Sequence, residues 1–144
     1  MTYFLTVVLA GLLGWIVVVD FRDRRIPDAA SLTLIGLGLA LSGMASHIPL
    51  ADRLIGAGAG FLLLWAIGEA FFRWRGVEGL GIGDAKLFAS AGAWLGWQDL
   101  PVVLLMAAMM GLLFAVLVRG RELAFGPWLA GAIALAWAHG LLWG

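Results

Sequence analysis

The chain has 144 residues, of which 63% are hydrophobic and 12% charged, against roughly 45–50% and about 25% in an ordinary soluble domain. A water-soluble core of this size cannot hide so much apolar surface, so the bilayer is the solvent for most of the chain. Nine basic residues balance nine acidic ones, which leaves no basic excess for nucleic acid; the absence of cysteine excludes disulfides, thiolate nucleophiles and cysteine-ligated zinc.

Apolar runs separated by short charged or Pro-containing clusters predict six membrane-spanning helices, near residues 2–20, 29–46, 54–72, 84–97, 101–118 and 124–143. The first run, Met1–Val19, lacks a basic n-region and a clear A-x-A cleavage site, and reads as a span rather than a signal peptide. It runs into Asp20, which opens Asp-Phe-Arg-Asp-Arg-Arg-Ile-Pro-Asp over residues 20–28. The connectors are too short to fold separately. The expected fold class is therefore all-α, a polytopic integral membrane helical bundle with residues 1–144 as one membrane domain.

Basic residues then orient the bundle, because Lys and Arg in short loops stay on the cytoplasmic side. Arg22, Arg24 and Arg25 fall in loop one, Arg73 and Arg75 in loop three, Lys86 just inside the fourth span, and Arg119 and Arg121 in loop five; Arg53 falls alone on the other side. Loops one, three and five are expected in the cytoplasm and both termini outside. Tyr3, Trp97 and Trp143 then lie near the outer interface and Trp74 and Trp128 near the inner one, where an amphipathic ring is favoured. Glycine occurs 21 times, Gly56, Gly60, Gly11 and Gly14 among them, and predicts close helix crossings of the small-xxx-small kind.

Two carboxylates stand out. Asp20 ends the first apolar run, and Asp84 closes Gly-Leu-Gly-Ile-Gly-Asp over residues 79–84, immediately before another. Both fall at the same membrane face. An ionisable group beside hydrocarbon is costly unless it is paired or faces a wet cavity, and it marks a functional position by default. Two carboxyls within about 3 Å of each other share one proton, so that one serves as acid and the other as base. Gly81 and Gly83 let the backbone approach a substrate strand closely. Lys86 sits two residues past Asp84, where it can act on that charge, bind a substrate carbonyl or simply snorkel. Asp23 and Asp28 read as solvated or paired with loop arginines, and Glu69 and Glu78 as weaker candidates for attracting a basic leader. His47 and His139 fall on the far side, so neither is placed to act as base or metal ligand at the aspartates.

With these residues in order, the sequence resembles the type IV prepilin peptidase family of aspartic membrane proteases along nearly its whole length. The resemblance rests on Asp20 followed by Arg25-Ile26-Pro27-Asp28, on Gly81-Ile82-Gly83-Asp84-Ala85-Lys86, and on Phe125-Gly126-Pro127 before the last span. It implies that Asp20 and Asp84 are the catalytic pair, that Pro27, Gly81, Gly83, Lys86, Phe125, Gly126 and Pro127 support it, and that no cofactor or metal takes part. It also implies a cell inner membrane, and as substrate and partner a type IV pilin-like precursor cut on the cytoplasmic side after a glycine. Two departures refine it. Asp28 stands where the family often has Asn, and the cysteine-rich N-terminal segment of the bifunctional relatives has no counterpart. The length is similar to the short peptidases of Tad/Flp-type pilus systems, for which peptidase activity without methyl transfer is expected.

Two other readings remain open. Presenilin and signal peptide peptidase also use Gly-x-Gly-Asp, but with the first aspartate in a Tyr-Asp setting that Val19-Asp20 does not match. A small proton- or cation-coupled transporter or secretion-assembly subunit would also need membrane carboxylates, but gives no reason for three ordered motifs. Reporter fusions or introduced-cysteine labelling are expected to place residues 22–25, 73–83 and 119–122 inside and both termini outside; an external loop one would overturn this orientation.

Overall fold

The computed structural model describes residues 1–41, 44, 47–119 and 124–143. The end of the predicted second span at Ala45 and Ser46, and Arg121 in loop five, lie outside the described residues. Six α-helices follow one another: α1 Thr2–Asp23, α2 Asp28–Leu41, α3 Leu50–Arg75, α4 Ile82–Leu95, α5 Leu100–Leu117 and α6 Gly126–Trp143. Among the described residues there is no strand. By length and composition, α1, α3 and α5 can each cross a membrane.

Several helix ends differ from the sequence expectation. Asp20 does not terminate α1; the helix continues one turn to Asp23 and stops where Arg24 turns left-handed, at φ 52° and ψ 36°, with its N–H donated to the carbonyl of Asp20 at 2.9 Å. α3 extends past both expected ends, so that Arg53 lies inside it and Arg73 and Arg75 form its last turn. It ends at Gly76, whose φ of 72° is open to glycine without steric cost. Charge marks where a helix leaves hydrocarbon, whereas the helix itself ends where a cap redirects the chain.

α4 occupies the middle of the bundle. From Leu87 through Leu95 every residue is buried, against α3, α2, α6 and α5, while α1 packs on α6 and α2. At 14 residues α4 rises only about 21 Å, less than the roughly 30 Å of a hydrocarbon core; enclosed by its neighbours, it need not span lipid itself. Small residues allow this. α3 turns one stripe inward, Arg53, Gly56, Gly60, Leu64 and Gly68, and a Cβ on Gly56 would stand 2.8 Å from the carbonyl oxygen of Gly92, one on Gly60 2.9 Å from that of Phe88, and one on Gly68 2.9 Å from that of Leu80. The backbones are in direct contact. Gly11 and Gly14, expected at similar crossings, have nothing within 4 Å of a built Cβ; they face outward on α1, away from its neighbours.

α2 is tied to the same centre by its carbonyls. Trp94 donates its indole N–H to Leu34 at 2.8 Å, and the buried guanidinium of Arg53 donates to Gly38 at 3.0 Å and Leu39 at 3.2 Å. Arg53 is thus the cation at the C-terminal end of α2, where carbonyls have no helical partner. Gly92→Ala should cost about 1–3 kcal/mol, because its methyl meets the backbone of Gly56 and nothing flexible can yield. Gly11→Ala should cost nothing. Unfolding curves of both variants in detergent test the contrast, and equal stabilities would contradict the contact.

Candidate active site

The apolar stripe of α1 consists of Leu5, Leu9, Leu13 and Ile16, and the next buried residue on that face is Asp20. Asp20 is therefore carried inward by the same periodicity that packs the helix. It is 5% exposed, and its Oδ2 has no hydrogen-bond partner among the described residues. Gly126, at the start of α6, packs directly on this carboxyl, and a built Cβ there would clash with Oδ2 and stand 3.1 Å from Cγ. The glycine leaves room for the carboxylate.

Asp84 is placed by a helix start. Gly81 is extended at φ −79° and ψ 161°, α4 begins at Ile82, and Asp84, three residues after the cap, accepts the N–H of Gly81 through Oδ2 at 3.3 Å. This is the carboxylate half of a capping box; glycine has no side chain to return the other half. One oxygen of Asp84 is thereby oriented by backbone, in the helix turn where a negative charge is favoured.

Both aspartates line one cavity of about 480 Å³ at the end of the bundle formed by the C-terminus of α1 and the N-termini of α2, α4 and α6. Gly81, Gly83, Lys86 and Phe125 also line it. Pro27 and Pro127 do not line it: Pro27 accepts the N–H of Ser31 at 3.1 Å in the first turn of α2, and Pro127 is buried in the first turn of α6. Ile26, to which the sequence assigned no role, and Asp28, read there as solvated or paired with an arginine, are also part of the wall. Ile26 stands between Arg25 and Pro27 in the charged segment 20–28, and nothing in the sequence marks it for the cavity. A built Cβ on Gly83 would stand 3.0 Å from the Cβ of Ile26.

Lys86 does not engage Asp84. Its ammonium donates to Asp28 Oδ1 at 2.9 Å, so Asp28 is paired with a lysine of α4 and not with a loop arginine. Glu69 accepts from Arg73 at 3.1 Å and, with Glu78, lines a separate cavity of about 330 Å³ that meets the first at Gly81 and Ile82. His47 and His139 line cavities with residues of the opposite end, such as Trp143 and Thr2. Among the described residues, no three of His, Asp and Glu gather as metal ligands would.

The type IV leader peptidase family model matches residues 7–116 of the chain, which include both aspartates and the turn between α1 and α2. The chain belongs to this family. Its relatives include the prepilin leader peptidase/N-methyltransferase of Aeromonas salmonicida, 41% identical over 145 residues, 92% of this chain and 50% of that protein. The protein of the same name from Escherichia coli K12 is 44% identical over 119 residues, 78% of this chain and 53% of its own length. That from Pectobacterium carotovorum is 42% identical over 130 residues, 85% and 47% respectively. The chain thus spans about half the length of these relatives. No solved structure matches it.

Proposed function

We propose that this family member is an aspartic endopeptidase of the membrane that removes the leader from a type IV pilin-like precursor, cutting after a glycine at the cytoplasmic face of a cell inner membrane. The supporting observation is that Asp20 from α1 and Asp84 from α4 open onto a single cavity, at the end of the bundle where the described basic residues other than Arg53 gather. Hydrolysis of an amide needs a base to take a proton from water and an acid to protonate the departing nitrogen, and two carboxyls holding one proton supply both. Water loses a proton to the carboxylate and attacks the carbonyl carbon; the carboxylic acid donates to the carbonyl oxygen; collapse of the tetrahedral species sends a proton to the amine as the C–N bond breaks. Asp84 is steadied by Gly81, and Asp20 carries a buried Oδ2 that no group among the described residues binds. Gly83 lines the cavity against Ile26, and the buried Gly126, lacking a Cβ, leaves room for the Asp20 carboxyl. Loops one, three and five are assigned to the cytoplasm and both termini to the outside.

Incubation with a prepilin in liposomes, followed by mass analysis of the cleavage point, tests the assignment. Asp20→Asn and Asp84→Asn should each reduce turnover by roughly 10³-fold or more while the proteins insert and fold, and the double variant should be hardly worse than either, since the two carboxyls act as one unit. Turnover should be bell-shaped in pH, with limbs that belong to the pair. Robust cleavage by a folded single variant would defeat the mechanism. Cleavage should also persist in chelator; loss of it that one added metal restores would make the aspartates ligands. A transporter would fail to cut at all.

A further inference from the structure

Asp20 rides on α1 and Asp84 on α4, yet these helices share no extended face, because α1 packs on α6 and α2. Their carboxyls are kept in register by whatever joins the two helices at this end of the bundle. The turn of residues 24–27 does so. It leaves α1 through the left-handed Arg24, whose N–H returns to Asp20 at 2.9 Å. Ile26 then sits between Gly83 of α4 and Gly126 of α6, the glycine that packs on the Asp20 carboxyl: a Cβ on Gly83 would stand 3.0 Å from its Cβ, and one on Gly126 3.1 Å from its Cδ1. At the far end of the turn, Asp28 receives the ammonium of Lys86 at 2.9 Å, and Lys86 lies two residues beyond Asp84 on the same helix.

We propose that Lys86 and Asp28 are a positioning pair that pins the 24–27 turn onto α4 and so holds Asp20 in register with Asp84; the proposal rests on the assignment of those aspartates as the hydrolytic pair. It gives Lys86 a target other than the charge of Asp84 or a substrate carbonyl. Asp84 is served by the N–H of Gly81, and the ammonium is spent on Asp28. With Asp28 68% and Lys86 26% exposed, the pair adds little to global stability. Its effect is local, on the separation of two carboxyls that must act on the same water, where a displacement of about 1 Å costs up to roughly a hundredfold in rate.

Lys86→Met, Asp28→Ala, the double variant and the exchange Lys86→Asp with Asp28→Lys separate this role from the others. Both single variants should lower kcat about ten- to a hundredfold with KM and the positions of the pH limbs unchanged, and the double variant should match the worse single. The exchange should recover most of the loss. Loss in Lys86→Met alone, additive losses, or an exchange as slow as the singles would overturn the proposal. Trypsin supplies a readout independent of turnover: in detergent, cutting at Arg24 and Arg25 should be several-fold faster in both singles than in the unaltered chain and in the exchange, and equal cutting rates would also overturn it. If the unaltered chain cuts no precursor, the proposed peptidase function fails while the trypsin rates still decide whether the turn is pinned.

Discussion

The structure depends on the backbone-to-backbone approach of α3 and α4. In lipid, helices gain nothing from hiding apolar side chains from each other, because the surrounding tails are equally apolar; close packing and hydrogen bonds must hold them together. Gly56, Gly60 and Gly68 on α3, with Gly92 on α4, remove the side chains that would keep these helices apart. Once α4 is seated, its first turn is fixed in space, and with it Asp84. The other helices are arranged around that seat.

The same centre carries polar contacts between helices. A carbonyl that loses its helical partner in hydrocarbon is costly, and α2 offers such carbonyls near its C-terminal end. Arg53 of α3 supplies donors to them, and Trp94 of α4 donates to the carbonyl of Leu34 in the middle of α2. Thr6 accepts the indole N–H of Trp137 at 3.1 Å, joining α1 to α6 in the same way, and Trp94 meets Trp137 edge-on with ring centroids 5.3 Å apart.

Much of this was legible in the sequence, for physical reasons that also explain the rest. Six helices could be read because charge punctuates apolar runs, and Asp20 and Asp84 stood out because a carboxylate beside hydrocarbon is conspicuous. Helix ends were misread where a charged residue continues a helix beyond the lipid, as Asp23 and Arg75 do. Arg53 read as a loop cation, since nothing in the sequence marks which helix end it will serve. Gly56 and Gly14 are both small residues in apolar runs, yet one touches a neighbour and the other does not; a small residue permits a close crossing without showing what lies opposite. The pairing of Asp28 with Lys86 joins positions 58 residues apart, a relation that exists only once α2 lies beside α4.

The enclosure of α4 bears on how the chain is made. Within 14 residues it carries Asp84, Lys86, Ser90 and two glycines, so it gains little from entering lipid alone. Its stable place exists only beside a helix already in the membrane. α3, 26 residues long and apolar enough to cross by itself, leaves the ribosome just before it, and the segment between them, residues 76–81, is short. The two are thus suited to enter as a hairpin, the longer helix acting as chaperone to the shorter. A helix that carries half of the proposed catalytic pair is thereby delivered with its most demanding contact already formed.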